Sequence, residues 1–333
     1  MAITERKALV QQHGELRLVS LPIPIPGEHQ LLVKVSHVAQ NPTDVQSFDK
    51  NAFGDGAVLG CDFVGTVESI GQAVNRFKPG DVIAGLIWGG EIKGLGGYSE
   101  FTLADEAICF PVPDSLSSEQ AATVPLASCT ALLALFSKNC LGSVIAHCVI
   151  PWGGSSSVGQ YAIQIASLHG LRFVTTCSPR NHGLAKSLGA SNVFDYRDDD
   201  VVGKIKENDT DITYVSDTIG SETSSILSSE AISDRGGELC TVRPGKQHTE
   251  GVTKRTRTAF LKEHRYGDFY WPADPGDHEL ASSFFARLSS LLADGKIKPN
   301  ATKVFEGGLG DISSGFTEYC EGKVSNYKIV YKL

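Results

Sequence analysis

No two cysteines stand in C-x-x-C spacing: the eight in this 333-residue chain lie far apart, at 61, 109, 129, 140, 148, 177, 240 and 320. That scatter argues against a zinc knuckle and against a disulfide scaffold, and most of them are expected to be reduced core residues. Long apolar runs are missing as well. Nowhere do 18 apolar residues follow one another, which argues against a membrane-crossing helix, and Glu5, Arg6 and Lys7 fall where a secretory signal would need its apolar stretch. A cytoplasmic location is expected. Positive charge is in deficit: a formal net charge of -8 repels phosphate backbones and anionic membranes, so neither nucleic acid nor a membrane is an expected partner.

What is present suits a globular chain of two domains, since 41% hydrophobic residues over this length can fill two cores. Up to residue 117, turn signals separate short β-branched runs at Leu31 to Val38, Phe63 to Ile70, Asp81 to Leu86 and Tyr98 to Leu103. Ser118 then opens an apolar helical stretch to Phe136, interrupted at Pro125. Strand (Cys148 to Trp152), helix (Ser156 to His169), strand (Arg172 to Cys177), helix (Asn181 to Leu188) and short strand (Val193 to Phe194) follow, with further strands at Ile212 to Val215 and Glu238 to Val242. This βαβ alternation predicts a doubly wound α/β domain with a parallel sheet. Beyond 263 the alternation ends; a helix over Glu279 to Ala293, strands at Lys303 to Phe305 and Lys328 to Tyr331, and a helix over Ile312 to Cys320 return to the first domain. The expected domains are 1–117 and 263–333 together, with 118–262 inserted. Asp198-Asp199-Asp200 reads as a solvated loop.

The strongest local signal runs from Val149 through Gly153-Gly154-Ser155-Ser156-Ser157-Val158-Gly159, from an apolar strand into an amphipathic helix. Glycines let the backbone approach a pyrophosphate, and the free N–H groups and dipole of a helix start stabilise its charge. The spacing departs from G-x-G-x-x-G, and a ligand-free turn would look similar in isolation; the surrounding βαβ pattern favours the nucleotide. At the end of the second strand an Asp or Glu would bind the ribose hydroxyls of NAD, yet Thr175-Thr176-Cys177-Ser178-Pro179-Arg180-Asn181 has none. Hydroxyl, guanidinium and amide suit a 2′-phosphate, which favours NADPH. Ser178 has a second reading, as the cap of the following helix.

These motifs resemble the medium-chain dehydrogenase/reductase superfamily, in its zinc-free quinone-oxidoreductase branch. Asn41-Pro42-Thr43-Asp44, Gly60 to Val67, Lys78-Pro79-Gly80-Asp81-Val82, Gly97 to Phe101, Ala185 to Ala190 and Gly322 to Asn326 carry the likeness across nearly the whole chain. The resemblance implies a Rossmann-type domain inserted into a mostly β, GroES-like catalytic domain. More narrowly, Thr176 to Pro179, Val193 to Arg197 and Trp271-Pro272 resemble the trans-acting enoyl reductases that serve fungal polyketide synthases. It implies that Ser178 binds the 2′-phosphate beside Arg180 and Asn181, that Tyr196 packs near the adenine, and that Ser155, Ser156, Ser157 and Val158 hold phosphates. By the same likeness Thr43, Asp44, Gln46, Thr241, Val242, Ser325 and Asn326 approach the cofactor. Pro125, Leu126, Ala127, Ser128, Cys129, Thr130, Ala131 and Leu132 line the substrate cleft, with Thr130 as its polar group. For His264 and Arg265 a cleft role and a plain loop role stand side by side.

The zinc-dependent relatives need a thiolate, a His-Glu pair and a further thiolate; here Asn41 stands at the first position and Cys61-Asp62 at the second. Cys61 reads as core packing and no metal is expected. Without a Lewis acid, hydride addition to an activated C=C bond, with charge delocalised onto a carbonyl, is the expected chemistry. The substrate is then a small or carrier-bound unsaturated carbonyl compound or thioester, with a polyketide synthase as a candidate partner. Gln46 stands where those enoyl reductases carry a lysine: it can donate a hydrogen bond without charge, or be an ordinary loop residue. That change and Asn326, which replaces a glycine, keep two alternatives open: a quinone or enone reductase, and a non-catalytic NADPH-binding or redox-neutral homologue. Tyr98, His147 and His169 read as packing or boundary residues rather than acids or bases.

Overall fold

The computed structural model describes residues 4–138, 140, 148–243, 252–256, 263–266 and 269–333. It opens with a hairpin that the turn signals did not mark, β1 (Glu5–Gln12) with β2 (Glu15–Pro22). There follow β3 (Gln30–Ala39), α1 (Pro42–Asp49), β4 (Asp62–Ile70), β5 (Val82–Leu86), β6 (Phe101–Asp105) and β7 (Cys109–Pro111). Two helices come next, α2 (Ser118–Ala122) and α3 (Pro125–Phe136). The middle of the chain runs β8 (Cys148–Trp152), α4 (Ser157–Leu168), β9 (Arg172–Thr176), α5 (His182–Ser187), β10 (Asn192–Phe194), α6 (Val201–Asn208), β11 (Tyr214–Asp217), α7 (Glu222–Glu230), β12 (Gly237–Thr241) and β13 (Val252–Thr256). The last part holds β14 (His264–Tyr266), β15 (Phe269–Trp271), α8 (Pro275–Ala293), β16 (Ala301–Phe305), α9 (Ile312–Cys320) and β17 (Tyr327–Lys332).

The contacts divide the chain into two units, one of Met1–Leu126, Lys262–Ala273 and Ser282–Leu333, the other of Ala127–Leu261 and Asp274–Ala281. The first therefore extends past residue 117, because α2 packs on β3 and β4. Its main sheet has the order β16-β17-β3-β4-β5-β7, with β6 also paired to β3, along Gln30 to Lys34. Phe63, Tyr98, Tyr331, Ile83 and Leu31 are fully buried there. Tyr98 meets Tyr331 edge-on at 6.1 Å between ring centroids, and Phe316 of α9 joins them. The second unit is a parallel sheet in the order β10-β9-β8-β11-β12-β13, as the βαβ pattern predicts. Its inner strands β9 and β11 are buried over Phe173 to Thr176 and Tyr214 to Asp217, as expected of a sheet covered on both faces.

Element ends moved where local signals were weak. The strand expected from Tyr98 starts at Phe101, since Tyr98 and Ser99 bridge to the β1 strand instead. The fourth strand of the parallel sheet runs two residues later than its apolar pattern, through Asp217. After the acidic run, α6 begins at Val201 and Lys204 turns back onto Asp198. Among the described residues no helix is long and apolar enough to cross a membrane.

The charged start of β1 is the least expected part of this fold. Arg6 is only 3% exposed, and its guanidinium donates to Ser99 Oγ at 2.6 Å and to the carbonyls of Pro22, Gly94 and Phe101. A planar fork meets these four acceptors, which a single ammonium cannot do. Arg6→Lys is therefore expected to lower unfolding stability by about 2 to 4 kcal/mol, measured by denaturant titration; an unchanged midpoint would show that the fork is dispensable.

Candidate active site

The first unit gathers its polar site residues around α1. Pro42 presets the first turn, and the Asp44 carboxylate reaches back to the Asn41 amide at 2.7 Å, closing the start of the helix. Asp44 is itself buried and also accepts from the Tyr98 hydroxyl at 3.2 Å. Burial pushes its carboxyl up to about 6, repulsion from Asp62 adds to this, and the Asn41 amide opposes it. Thr43 is half-buried on the same turn. Gln46 is also half-buried, on α1 rather than in a loop, and its amide donates to the Tyr319 hydroxyl at 3.1 Å. Ser325 and Asn326 precede β17, and Asn326 has φ 58°, a left-handed conformation that glycine adopts freely and asparagine tolerates. Asparagine is thereby accommodated at a position where the resemblance implies glycine.

Behind α1 lies a cluster that only chain folding reveals. Asp62, fully buried at the start of β4, accepts from Asn41 Nδ2 at 2.9 Å, from the Leu126 amide at 2.6 Å and from the Lys328 ammonium. By the family resemblance, zinc ligands would be expected at Asn41 and Cys61. Here the Asn41 amide is spent on Asp62, burial and the Asp44 charge hold the Cys61 thiol well above its ordinary range, and a lysine already neutralises Asp62. A thiol kept protonated and an amide make a poor donor set for zinc. No group of three or more His, Cys, Asp or Glu side chains among the described residues could hold a metal.

In the second unit the strand order reverses between β8 and β11, which is where an open parallel sheet binds ligands at its carboxyl ends. Trp152, Thr176, Asp217 and Thr241 are cross-strand partners at those ends. The glycine turn leaves β8 here. Gly153 has φ 90°, and a Cβ on Gly159 would stand 2.3 Å from the Gly153 carbonyl, so the turn packs against α4 only with glycines at both positions. Ser156 caps α4 by accepting from the Gly159 amide at 3.0 Å, and its hydroxyl meets Thr218 Oγ1 at 2.8 Å. Ser155, Ser157 and Val158 are half-buried around that helix start. Thr218 also binds the carbonyls of Trp152 and Gly153, and buried Asp217 holds the next turn through the amides of Ile219 and Gly220 and the hydroxyls of Ser224 and Ser225. Val242 follows β12, its amide bonded to Asp217.

At the end of β9, Ser178 occupies the cap position of a short helical turn, but its side chain makes no capping bond. Arg180 is exposed and Asn181 buried in that turn. Tyr196, 45% exposed beyond β10, lies beside the Arg197 guanidinium, which grips Asp195 at 2.9 and 3.0 Å. Burial and the Asp195 charge push the Cys177 thiol up to about 11, so it remains a protonated, inert group.

Pro125 to Leu132 all lie on the first two turns of α3 and are buried, Thr130 at 6% exposure. His264 and Arg265 lie on β14, and their side chains are outside the described residues, as is His147. His169 ends α4, bonded to the Ile165 carbonyl and in a tilted ring contact with Phe136. Tyr98 is a packing residue whose phenol is held far above its ordinary range by burial and by Asp44. The sequence reading missed Lys328, Thr218, Asp217 and Tyr319. For Lys328 the available signal was a lysine inside the apolar run of Tyr327 to Tyr331; for Asp217 and Thr218 it was their place at a strand's carboxyl end.

Two outcomes follow from this geometry. Unfolded, the Asp44 carboxyl ionises near its ordinary value of 3.8, whereas folded it holds its proton to about 6. Its contribution to stability is then complete below the lower value and is lost as pH rises through the upper one, by about 3 kcal/mol in all; Asp44→Asn should flatten that part of the stability profile in unfolding titrations. Gly159→Ala should weaken nucleotide binding by about tenfold or more by forcing the turn off α4, read by fluorescence titration, while leaving Asp62 and its neighbours intact.

Comparison with known proteins agrees with this architecture. The profile of the "Alcohol dehydrogenase GroES-like domain" family matches residues 27–114, and that of "Zinc-binding dehydrogenase" residues 157–286. The chain is 33% identical to the trans-enoyl reductase ACTTS2 of Alternaria alternata, over 99% of both chains. It is also 33% identical to the trans-enoyl reductase eqxC of Fusarium heterosporum, over 100% of both. In fold it superposes on an alcohol dehydrogenase superfamily protein from Novosphingobium aromaticivorans with a TM-score of 0.82 at 23% identity, covering 98% of this chain and 99% of that one. The chain thus belongs to the medium-chain dehydrogenase/reductase superfamily, among the trans-enoyl reductases.

Proposed function

We propose that this protein is a zinc-independent, NADPH-dependent reductase of an activated C=C bond, acting on an α,β-unsaturated thioester carried by a polyketide synthase. Ser178 carries the cofactor part of this reading. Its hydroxyl stands at the carboxyl end of β9 unused as a cap, with no carboxylate in Thr176-Cys177-Ser178 to favour a free ribose hydroxyl. The nearby Asp195 is already held by Arg197. Ser178, with Arg180 and Asn181, would hold the 2′-phosphate; Ser155 to Val158 would hold the pyrophosphate at the start of α4; Tyr196 would flank the adenine. Thr43, Thr241, Val242, Ser325 and Asn326 would complete the cofactor contacts.

When bound, NADPH supplies a hydride to the β-carbon, and the C=C electrons pass to the α-carbon and carbonyl as an enolate. The chain's part is to hold the thioester, exclude water and offer donors to the enolate oxygen. Thr130 is one such donor. The Gln46–Tyr319 pair is another: with its oxygen accepting from Gln46, Tyr319 can turn its proton outward, a neutral donor where a lysine would be charged. Water supplies the proton at the α-carbon.

NADPH oxidation followed with unsaturated thioesters, enones and quinones, with products identified, tests this function. Formation of a saturated thioester is the expected result. Ser178→Ala should raise the KM for NADPH by about tenfold, the loss of one charge-assisted hydrogen bond, and leave that for NADH unchanged. Equal use of NADH and NADPH by the unaltered protein would overturn the cofactor assignment, and turnover of quinones alone would replace the substrate class.

A further inference from the structure

The start of helix α3 is tied to a distant part of the chain. Its first residue, Pro125, has no N–H, and its first turn contains no acidic residue. The amide of Leu126 is therefore the first that needs a partner, and it is buried. That partner comes from a distant segment: Asp62 Oδ1 accepts it at 2.6 Å, placing a carboxylate at the positive end of the helix dipole. Lys328, 4% exposed on β17, neutralises the other oxygen and reaches the Thr123 carbonyl at 3.4 Å. Thr123, between α2 and α3, in turn accepts from the Asn300 amide at 3.2 Å.

A buried ion pair is a poor source of net stability, because apolar side chains of similar volume usually do as well. Its distinctive effect is directional, since the carboxylate is satisfied in only one register of the three segments. Leu126 and Thr130 are one helical turn apart on the same face of α3, so the amide that Asp62 grips sets where the Thr130 hydroxyl points. We propose that Asp62 and Lys328 are positioning residues for catalysis, anchoring the start of α3 so that Thr130 is presented to the substrate; this rests on the assignment of α3 to substrate binding made above.

The test is the double variant Asp62→Leu/Lys328→Met, which replaces the pair by apolar groups, compared with Lys328→Arg, which keeps the charge. Three quantities are read: NADPH affinity by fluorescence titration, kcat and KM with a short unsaturated N-acetylcysteamine thioester, and hydrogen exchange in a peptide covering Leu126 to Leu132. The double variant should keep its NADPH affinity, lower its unfolding midpoint only by the effect of the Leu126 and Asn41 donors left without Asp62, exchange faster at the start of α3, and lose kcat by about a hundredfold, the effect of a small misplacement in a reacting site. Lys328→Arg, which keeps the ion pair, should retain most of the unaltered protein's kcat. A double variant with unaltered exchange and unaltered kcat would overturn the proposal. Should the double variant fail to fold, Asp62→Asn is measured in the same way: its amide cannot accept from Leu126, Asn41 and Lys328 together, so unaltered exchange and kcat would again be fatal. If the unaltered protein reduces no thioester, the proposed function falls, while the exchange comparison still decides whether the pair anchors α3.

Discussion

A carboxylate removed from water has to be met by donors on every side, and Asp62 meets this requirement with groups from three distant stretches of chain. Asn41 comes from the end of β3, Leu126 from the start of α3 and Lys328 from the last strand. Leaving any of these contacts unmade would strand a buried charge, which costs several kcal/mol. The segment entering α1, the segment entering α3 and the carboxyl-terminal strand are thereby held in one arrangement. Asp44 lies one layer away, and its own burial and its repulsion by Asp62 make it the group in this region that resists ionisation.

The second unit solves a different electrostatic problem. Its helix α4 begins with amides that no intrahelical carbonyl can accept, and its parallel strands end together beside it. The close packing of Gly153 and Gly159 and the bonds from Thr218 to the same turn keep those amides in place. In the proposed function this helix start receives the pyrophosphate, with its amides arranged before any ligand arrives. Asp217, at the carboxyl end of β11, is consumed by its own turn, with two amides and two serine hydroxyls around it.

Much of this was legible in the sequence. The glycine turn, the βαβ alternation and the missing acid after β9 are local patterns, each readable within about thirty residues. The hairpin β1–β2 was not, because Arg6 and Lys7 interrupt its apolar alternation and only the folded chain supplies the carbonyls that bury Arg6. The shift of β11 to Asp217 was hidden for a similar reason. A polar strand end is indistinguishable from a loop until its hydrogen-bond partners are known.

By itself the sequence determined the class of fold, the glycine turn between β8 and α4 and the lack of an acidic residue after β9, since backbone propensity, side-chain period and residue chemistry are properties of short segments. Only tertiary structure decided that Lys328 is the counter-ion of Asp62, that Gln46 is bound to Tyr319, and that the Ser178 hydroxyl is left unused as a helix cap. Asp62 and Lys328 are 266 residues apart. A charge has no period and no propensity that points to its partner; the pairing exists because both groups are driven out of water at the same place.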